Sequence, residues 1–241
     1  MESLDKLIEE GKPIKIDAKE EIKVGHEGVK FIADLYAEGK YLGEFFLKHM
    51  SYEKKAFRQL EIYQHFKNGG AKVPKSFNIL ETSDNELWAA MPNLTENGKF
   101  WVYSMDASEI NKEDYKKTVK LLPTNIRTRI RAELIKTCEV ASIPVLEESH
   151  DTDIYELRSK SFMIAISPKR LEDSTIYVAD YGDIDKRKDM KQALDESLRA
   201  AAVFYTWMLG EEFEFPEKYK YLEKTMVLGN DLKRIIEFRN F

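Results

Sequence analysis

The chain has 241 residues, of which 43% are hydrophobic and 34% charged, with a formal charge of −5. That is enough apolar material for one large domain or for two lobes sharing a cleft, and it excludes a disordered chain. The acidic balance argues against a general nucleic-acid binder, which shows a basic excess, and still allows an anionic ligand in a local positive pocket. The single cysteine, Cys138, rules out an internal disulfide and fits a reducing compartment; it reads as a helix-packing residue, not a nucleophile. Residues 1–11 are charged and amphipathic and lack the apolar centre of a signal peptide. No apolar run approaches the ~18 residues of a spanning helix. The expectation is a soluble, cytoplasmic protein without membrane or nucleic-acid partners.

In chain order, residues 4–10 predict a short helix ended by Gly11 and Pro13. Ile22 to Val24 reads as a short strand, followed by Gly25-His26-Glu27-Gly28. Val29 to Ala37 and Tyr41 to His49 read as two further antiparallel strands joined by a turn at Glu38-Gly39-Lys40. A helix follows over Lys54 to Phe66, capped by Ser51, with Phe57, Leu60 and Tyr63 on its apolar face and Asn68-Gly69-Gly70 at its end. Ser76 to Leu80 and Glu86 to Met91 predict two more strands around a polar turn at 82–85, and Pro92-Asn93-Leu94 breaks the pattern. Residues 1–94 therefore predict a small α+β lobe with one helix inserted after the third of five strands.

Residues 95–241 predict a mainly helical lobe. Helices are expected over 112–122 and 125–141, split by Pro123, then an irregular stretch over 143–152. Two strands, 161–166 and 176–179, are joined by a polar hairpin over 167–174. A long helix runs from Asp189 to Leu209 and ends at Gly210; short helices are expected over 217–226 and 231–238. The apolar, β-branched run Ile176-Tyr177-Val178-Ala179 ends in Asp180, with Gly182 two residues on. A buried strand that delivers a carboxylate to its exit can hold Mg²⁺, which takes one or two carboxylates plus substrate phosphates. Asp-X-Gly also makes ordinary turns.

This order of elements, over residues 21–210, resembles the protein-kinase-like fold: α+β, two-lobed, with an antiparallel-sheet N-lobe and a mainly helical C-lobe. Several residues carry the resemblance. Gly25 and Gly28 stand where kinases place a glycine-rich loop over ATP phosphates, although the same residues make an ordinary hairpin turn. Lys48 looks like the third-strand lysine that contacts the α- and β-phosphates, and Glu61 is its implied partner on the following helix. Met91 and Leu94 would wall the adenine. Laid onto the family's catalytic loop, Glu156 takes the place of the aspartate that orients the acceptor hydroxyl, and Ser161 that of the metal-holding asparagine; a bulged loop could bring Asp153 or Asp151 to the site instead. Asp180-Tyr181-Gly182 corresponds to the family's Asp-Phe-Gly, whose aspartate binds the metal, and Asp195 would anchor the catalytic loop or face solvent. Fourteen residues separate Asp180 from Asp195, too few for a peptide-binding activation segment. The chain is therefore most similar to small kinases of the aminoglycoside phosphotransferase type, with a degenerate catalytic loop.

The resemblance implies a phosphotransferase that uses ATP and Mg²⁺ on a hydroxyl acceptor, a small molecule rather than a peptide. The alternative is a catalytically impaired pseudokinase that binds nucleotide or a protein partner. A third reading is an α+β interaction domain. His26, His49, His65 and His150 have no metal-ligand spacing, and no Walker loop, dinucleotide fingerprint or Gly-X-Ser-X-Gly occurs. Arg127, Arg129 and Arg131 read as a solvated helix face.

Overall fold

Alternating burial builds the first sheet. In the computed structural model, which describes residues 4–22, 29–82, 84–105, 117–146 and 152–225, β1 (Ile14–Glu21) pairs with β2 (Lys30–Ala37) and β2 with β3 (Lys40–Met50), all antiparallel. Glu38 and Gly39 both have positive φ, 49° and 77°, the backbone of a tight hairpin turn whose twist matches its strands. After α2 (Glu53–Asn68), β4 (Asn78–Glu81) and β5 (Leu87–Pro92) complete a five-stranded sheet of order β1-β2-β3-β5-β4. One face, carrying Ala33, Leu35, Phe45, Leu47, Trp88 and Ala90, is closed by Leu4 of α1 (Leu4–Glu9). Successive side chains alternate between faces, so the opposite face carries Ile32, Phe46, Lys48, Ala89 and Met91.

The first strand lies over 14–21 where the sequence pattern predicts one over 22–24. Pairing reaches Ile22, whose amide donates to the Lys30 carbonyl at 2.7 Å. β1 is the sheet edge, and its charged exposed side chains suit a strand that must not recruit another. A register shift between Ala18 and Glu20 also breaks its alternation.

The second half is less purely helical than its sequence suggests. β6 (Trp101–Ser104) joins β9 (Phe162–Ile166) and β10 (Thr175–Val178) in a three-stranded sheet of order β10-β9-β6. A second small sheet pairs β8 (Thr152–Glu156) with β7 (Val145–Leu146) on one side and β11 (Asp185–Arg187) on the other. Beside them run α3 (Thr124–Ala141) and α4 (Met190–Leu209). The Asp189 side chain caps α4 by accepting from the Gln192 amide, and Gly210 ends it in the left-handed conformation, φ 69°. A turn at 217–219 and the short α5 (Tyr221–Thr225) follow. Residues 112–116 of the helix expected over 112–122, and the helix expected over 231–238, lie outside the described residues, while 117–120 are helical.

One core cluster runs from Ile62, Tyr63 and Phe66 of α2 through Phe162, Ile164 and Val178 to Leu198, Ala202 and Phe204 of α4. Each such side chain contributes roughly 1.5–3 kcal/mol by leaving water. α2 thus belongs to both halves. Its His65 Nε2 lies 2.8 Å from the Val140 carbonyl of α3, and a Cβ at Gly69 would meet Val140 Cγ1 at 2.3 Å, so only glycine allows that approach. The result is an α+β fold of two halves, a five-stranded antiparallel sheet with α2 and a second half of helices around two small sheets. Among the described residues no helix is long and apolar enough to cross a membrane.

Candidate functional site

A cleft of about 660 Å³ opens beneath the exposed face of the first sheet. Strand register arranges its roof in two rows. Lys30, Lys48 and Ala89 lie opposite one another across β2, β3 and β5, as do Ile32, Phe46 and Met91, and all six line the cleft. The connector contributes Pro92, Asn93, Leu94 and Thr95; Val102 of β6, Met163 of β9, and Ala179 and Asp180 beyond β10 come from the second half. Gln59 of α2 also lines it and is only 4% exposed, and its Nε2 is buried without a hydrogen-bond partner.

Asp180 is set by the residue after it. Tyr181 turns into the core, donates its hydroxyl to the Val178 carbonyl at 2.8 Å and meets the rings of Tyr63 and Phe77 edge-on. Burial pushes its phenol well above the ordinary tyrosine range. With Tyr181 anchored, the Asp180 Oδ1 accepts from the Gly182 amide at 3.2 Å and stands 3.7 Å from the Lys48 ammonium. Arg58 of α2 donates to the Ile184 carbonyl at 2.9 Å, which fixes the same turn from the other side.

Of the site residues predicted from sequence, Lys48, Met91, Leu94 and Asp180 meet in this cleft. Gly25 and Gly28 lie outside the described residues. Glu61 is exposed on α2 and does not line the cleft; Gln59, about 200° away around the helix, does. Ser161 is fully buried, and its Oγ accepts from the Arg158 amide at 3.1 Å and donates to the Asp183 carbonyl at 3.5 Å. Its neighbour Lys160 lines the cleft instead.

Glu156 is 3% exposed at the end of β8, opposite Asp185 of β11. Arg187 grips both of its oxygens, at 2.8 and 3.2 Å, and Arg158 approaches to 3.6 Å. It borders a separate hollow of about 360 Å³ that shares only Lys160 with the cleft. Asp153 pairs with Val145 within β8, so its backbone belongs to a regular strand and not to a bulged loop; Asp151 lies outside the described residues. Asp195 is neither a loop anchor nor solvated: it is 8% exposed and accepts from the Tyr221 hydroxyl at 2.6 Å, a bond that pushes that phenol up to about 12. Ser197 anchors the loop, its Oγ accepting from the Leu157 amide at 2.9 Å.

The arginine run on α3 also departs from its expected role as a solvated face. Arg127 donates to the Leu122 and Val119 carbonyls and pairs with Glu211, Arg129 reaches the Glu172 and Ser174 carbonyls, and Arg131 pairs with Glu214. These bonds fasten α3 to the hairpin beyond β9 and to the segment after α4.

Of the two residues to which the resemblance assigns Mg²⁺, Asp180 lines the cleft and Ser161 does not. Ser161 spends its hydroxyl on its own turn, and Asp180 faces an ammonium. No group of three or more His, Cys, Asp and Glu among the described residues could hold a metal ion. The cleft lining mixes lysines, among them Lys48 and Lys160, with the carboxylates Glu20, Glu44 and Asp180 and one buried amide donor, Gln59, beside apolar walls.

No family model matches the chain, and no curated protein matches it. Among solved structures, the crystal structure of the Mycobacterium tuberculosis PknI kinase domain aligns over 92% of this chain and 86% of that one, at 12% identity and a TM-score of 0.43.

Proposed function

We propose that this chain is a kinase-like nucleotide-binding module with impaired phosphotransfer, the pseudokinase alternative of the two kinase readings. One observation carries it. The carboxylate standing where the acceptor hydroxyl would be oriented, Glu156, is buried, gripped by Arg187 and outside the cleft that holds Lys48 and Asp180. Phosphotransfer is almost entirely positioning plus electrostatic stabilisation, so a group held away from the reacting atoms supplies neither. In this reading the base of ATP lies between Met91, Leu94, Val102 and Met163, and its phosphates run toward Lys48. The partner that reads the bound state is a protein, and the single thiol suits a reducing cytoplasm.

The second reading is an active phosphotransferase on a small hydroxyl acceptor. Lys48 and Asp180 meeting in one cleft favour it, and the short span from Asp180 to Asp195 favours a small acceptor over a peptide.

A thermal-shift titration with ATP, paired with a phosphate-transfer assay, separates them. The expected result is a saturable rise in melting temperature, lost in Lys48→Ala, with no transfer above background. Transfer to any hydroxyl acceptor would overturn the impaired reading. The absence of a shift at millimolar nucleotide would overturn nucleotide binding itself.

A further inference from the structure

We propose that Gln59 is a ligand-binding residue whose side-chain amide donates a hydrogen bond to a phosphate oxygen of the nucleotide at the inner end of the cleft. The proposal deepens the nucleotide-binding reading above and rests on it. It begins with the buried stripe of α2. Ala56, Ile62, Tyr63 and Phe66 make that stripe, and Gln59 sits within it, 4% exposed. Its Nε2 is buried and has no hydrogen-bond partner among the described residues. An amide taken out of water without an acceptor costs stability that an apolar side chain of the same length would not cost. A buried donor left in this state calls for a reason, and a ligand that supplies the acceptor is one.

The elements around Gln59 place it at one end of the cleft. One residue earlier, Arg58 donates to the Ile184 carbonyl at 2.9 Å; four residues later, the Tyr63 ring meets that of Tyr181 edge-on at 5.9 Å. This stretch of α2 is therefore laid against the turn that begins at Asp180. Lys48 stands 3.7 Å from the Asp180 carboxylate, and Lys48, Gln59, Phe77, Ala179 and Asp180 all line the cleft. Along β5, the row that joins Lys48 to Ala89 comes before the row that joins Phe46 to Met91, and the connector at 92–94 follows. Gln59 thus shares the Lys48 end of the cleft, toward which the phosphates run, and not the connector end, where the base lies.

Asn78 supplies the comparison. Its Nδ2 is also buried without a partner among the described residues, yet Asn78 stands opposite Ala90 on the sheet face that α1 closes, and it does not line the cleft. Gln59 differs in bordering a space of about 660 Å³. A phosphate oxygen suits its amide: the acceptor is ionised, so the bond is roughly twice as strong as one between neutral groups.

The test is calorimetric titration of the full chain and of Gln59→Met with ATP and with adenosine, beside the melting temperature of each free protein. Titrations use whichever of Mg²⁺ or EDTA gives the wild type its tighter ATP binding. Methionine keeps the length and the helix preference of glutamine and has no donor. Gln59→Met should raise Kd for ATP about tenfold, as for the loss of one charge-assisted hydrogen bond, while adenosine binds both proteins equally or neither. The free variant should melt at a higher temperature than the wild type, the opposite of what a structural hydrogen bond would give. Gln59→Leu replaces the methionine variant if that fails to fold. Asn78→Leu should leave Kd for ATP unchanged; an equal loss there would make the effect a general consequence of repacking and overturn the proposal. Unchanged ATP affinity in Gln59→Met overturns it and leaves the nucleotide reading standing. A matching loss for adenosine moves the contact to the base or ribose and overturns the phosphate assignment. Absence of ATP binding to the wild type overturns the nucleotide reading and this proposal with it.

Discussion

Asp180 and Glu156 are the two carboxylates that the kinase-like element order would assign to chemistry, and the structure treats them oppositely. Asp180 is partly open to a cleft, 3.7 Å from one lysine, and its position depends on a buried tyrosine. Glu156 is sealed at a strand end with a two-pronged arginine on it. The backbone around each residue makes the difference. Asp180 enters a tight turn that leaves its oxygens exposed, whereas β8 is matched by β11, and Arg187 of β11 closes over Glu156. A loop that pairs as a strand gains stability and loses a reactive group.

The contrast can be broken most forcefully at Arg187. Arg187→Ala removes both close bonds to the buried Glu156 carboxylate and should destabilise the fold, by less than breaking a fully buried pair would because Arg187 is part-exposed. A shift of the urea midpoint would report it, and the nucleotide-induced rise in melting temperature should survive because Glu156 is outside the cleft. An unchanged midpoint would mean that the ion pair holds nothing. Ser197→Ala strips the Leu157 amide of its acceptor next to the same strand and should cost about 1–2 kcal/mol by the same measurement.

Asp180→Asn sharpens the other side of the contrast. It keeps the size and an oxygen for the Gly182 amide but removes the negative charge, so nucleotide affinity in EDTA should rise by about threefold. A loss of affinity would instead assign Asp180 a direct role in holding the ligand. The smallest effect concerns pH. Burial between α2 and α3 holds the His65 imidazole below its ordinary range, although its bond to the Val140 carbonyl pulls the other way. The unfolded chain therefore takes up the proton first as pH falls, so the contribution is present above about pH 6.5 and is lost below it as pH falls toward the folded value. His65→Gln should flatten the decline of melting temperature between about pH 7 and 5; an unaltered slope would place that decline on other groups.

The sequence carried the number of strands in the first sheet, the hairpin around β9 and β10, and the cleft quartet of Lys48, Met91, Leu94 and Asp180. It did not carry the phase of α2. Phe57 and Leu60 suggested one apolar stripe, yet Phe57 is 46% exposed while Ala56, Gln59, Ile62, Tyr63 and Phe66 are buried, because a glutamine sits within the true stripe and disguises it. Glu61 was implied by the resemblance as the partner of Lys48, and the helix instead turns Gln59 to the cleft wall. β8 and β11 were hidden for a related reason: their residues are largely charged and pair through ions as well as backbone, so they read as solvated loops. Lys30 needed the cross-strand register, a relation between residues distant in sequence that periodicity alone does not contain.

α2 touches the first sheet, α3 and the turn beyond Asp180 with one continuous set of buried side chains. A helix shared in this way cannot melt for one half and stay formed for the other. Heat should therefore undo the molecule in a single cooperative step, and a ligand seated in the cleft would protect amides in α3 and α4 from hydrogen exchange although it touches neither helix.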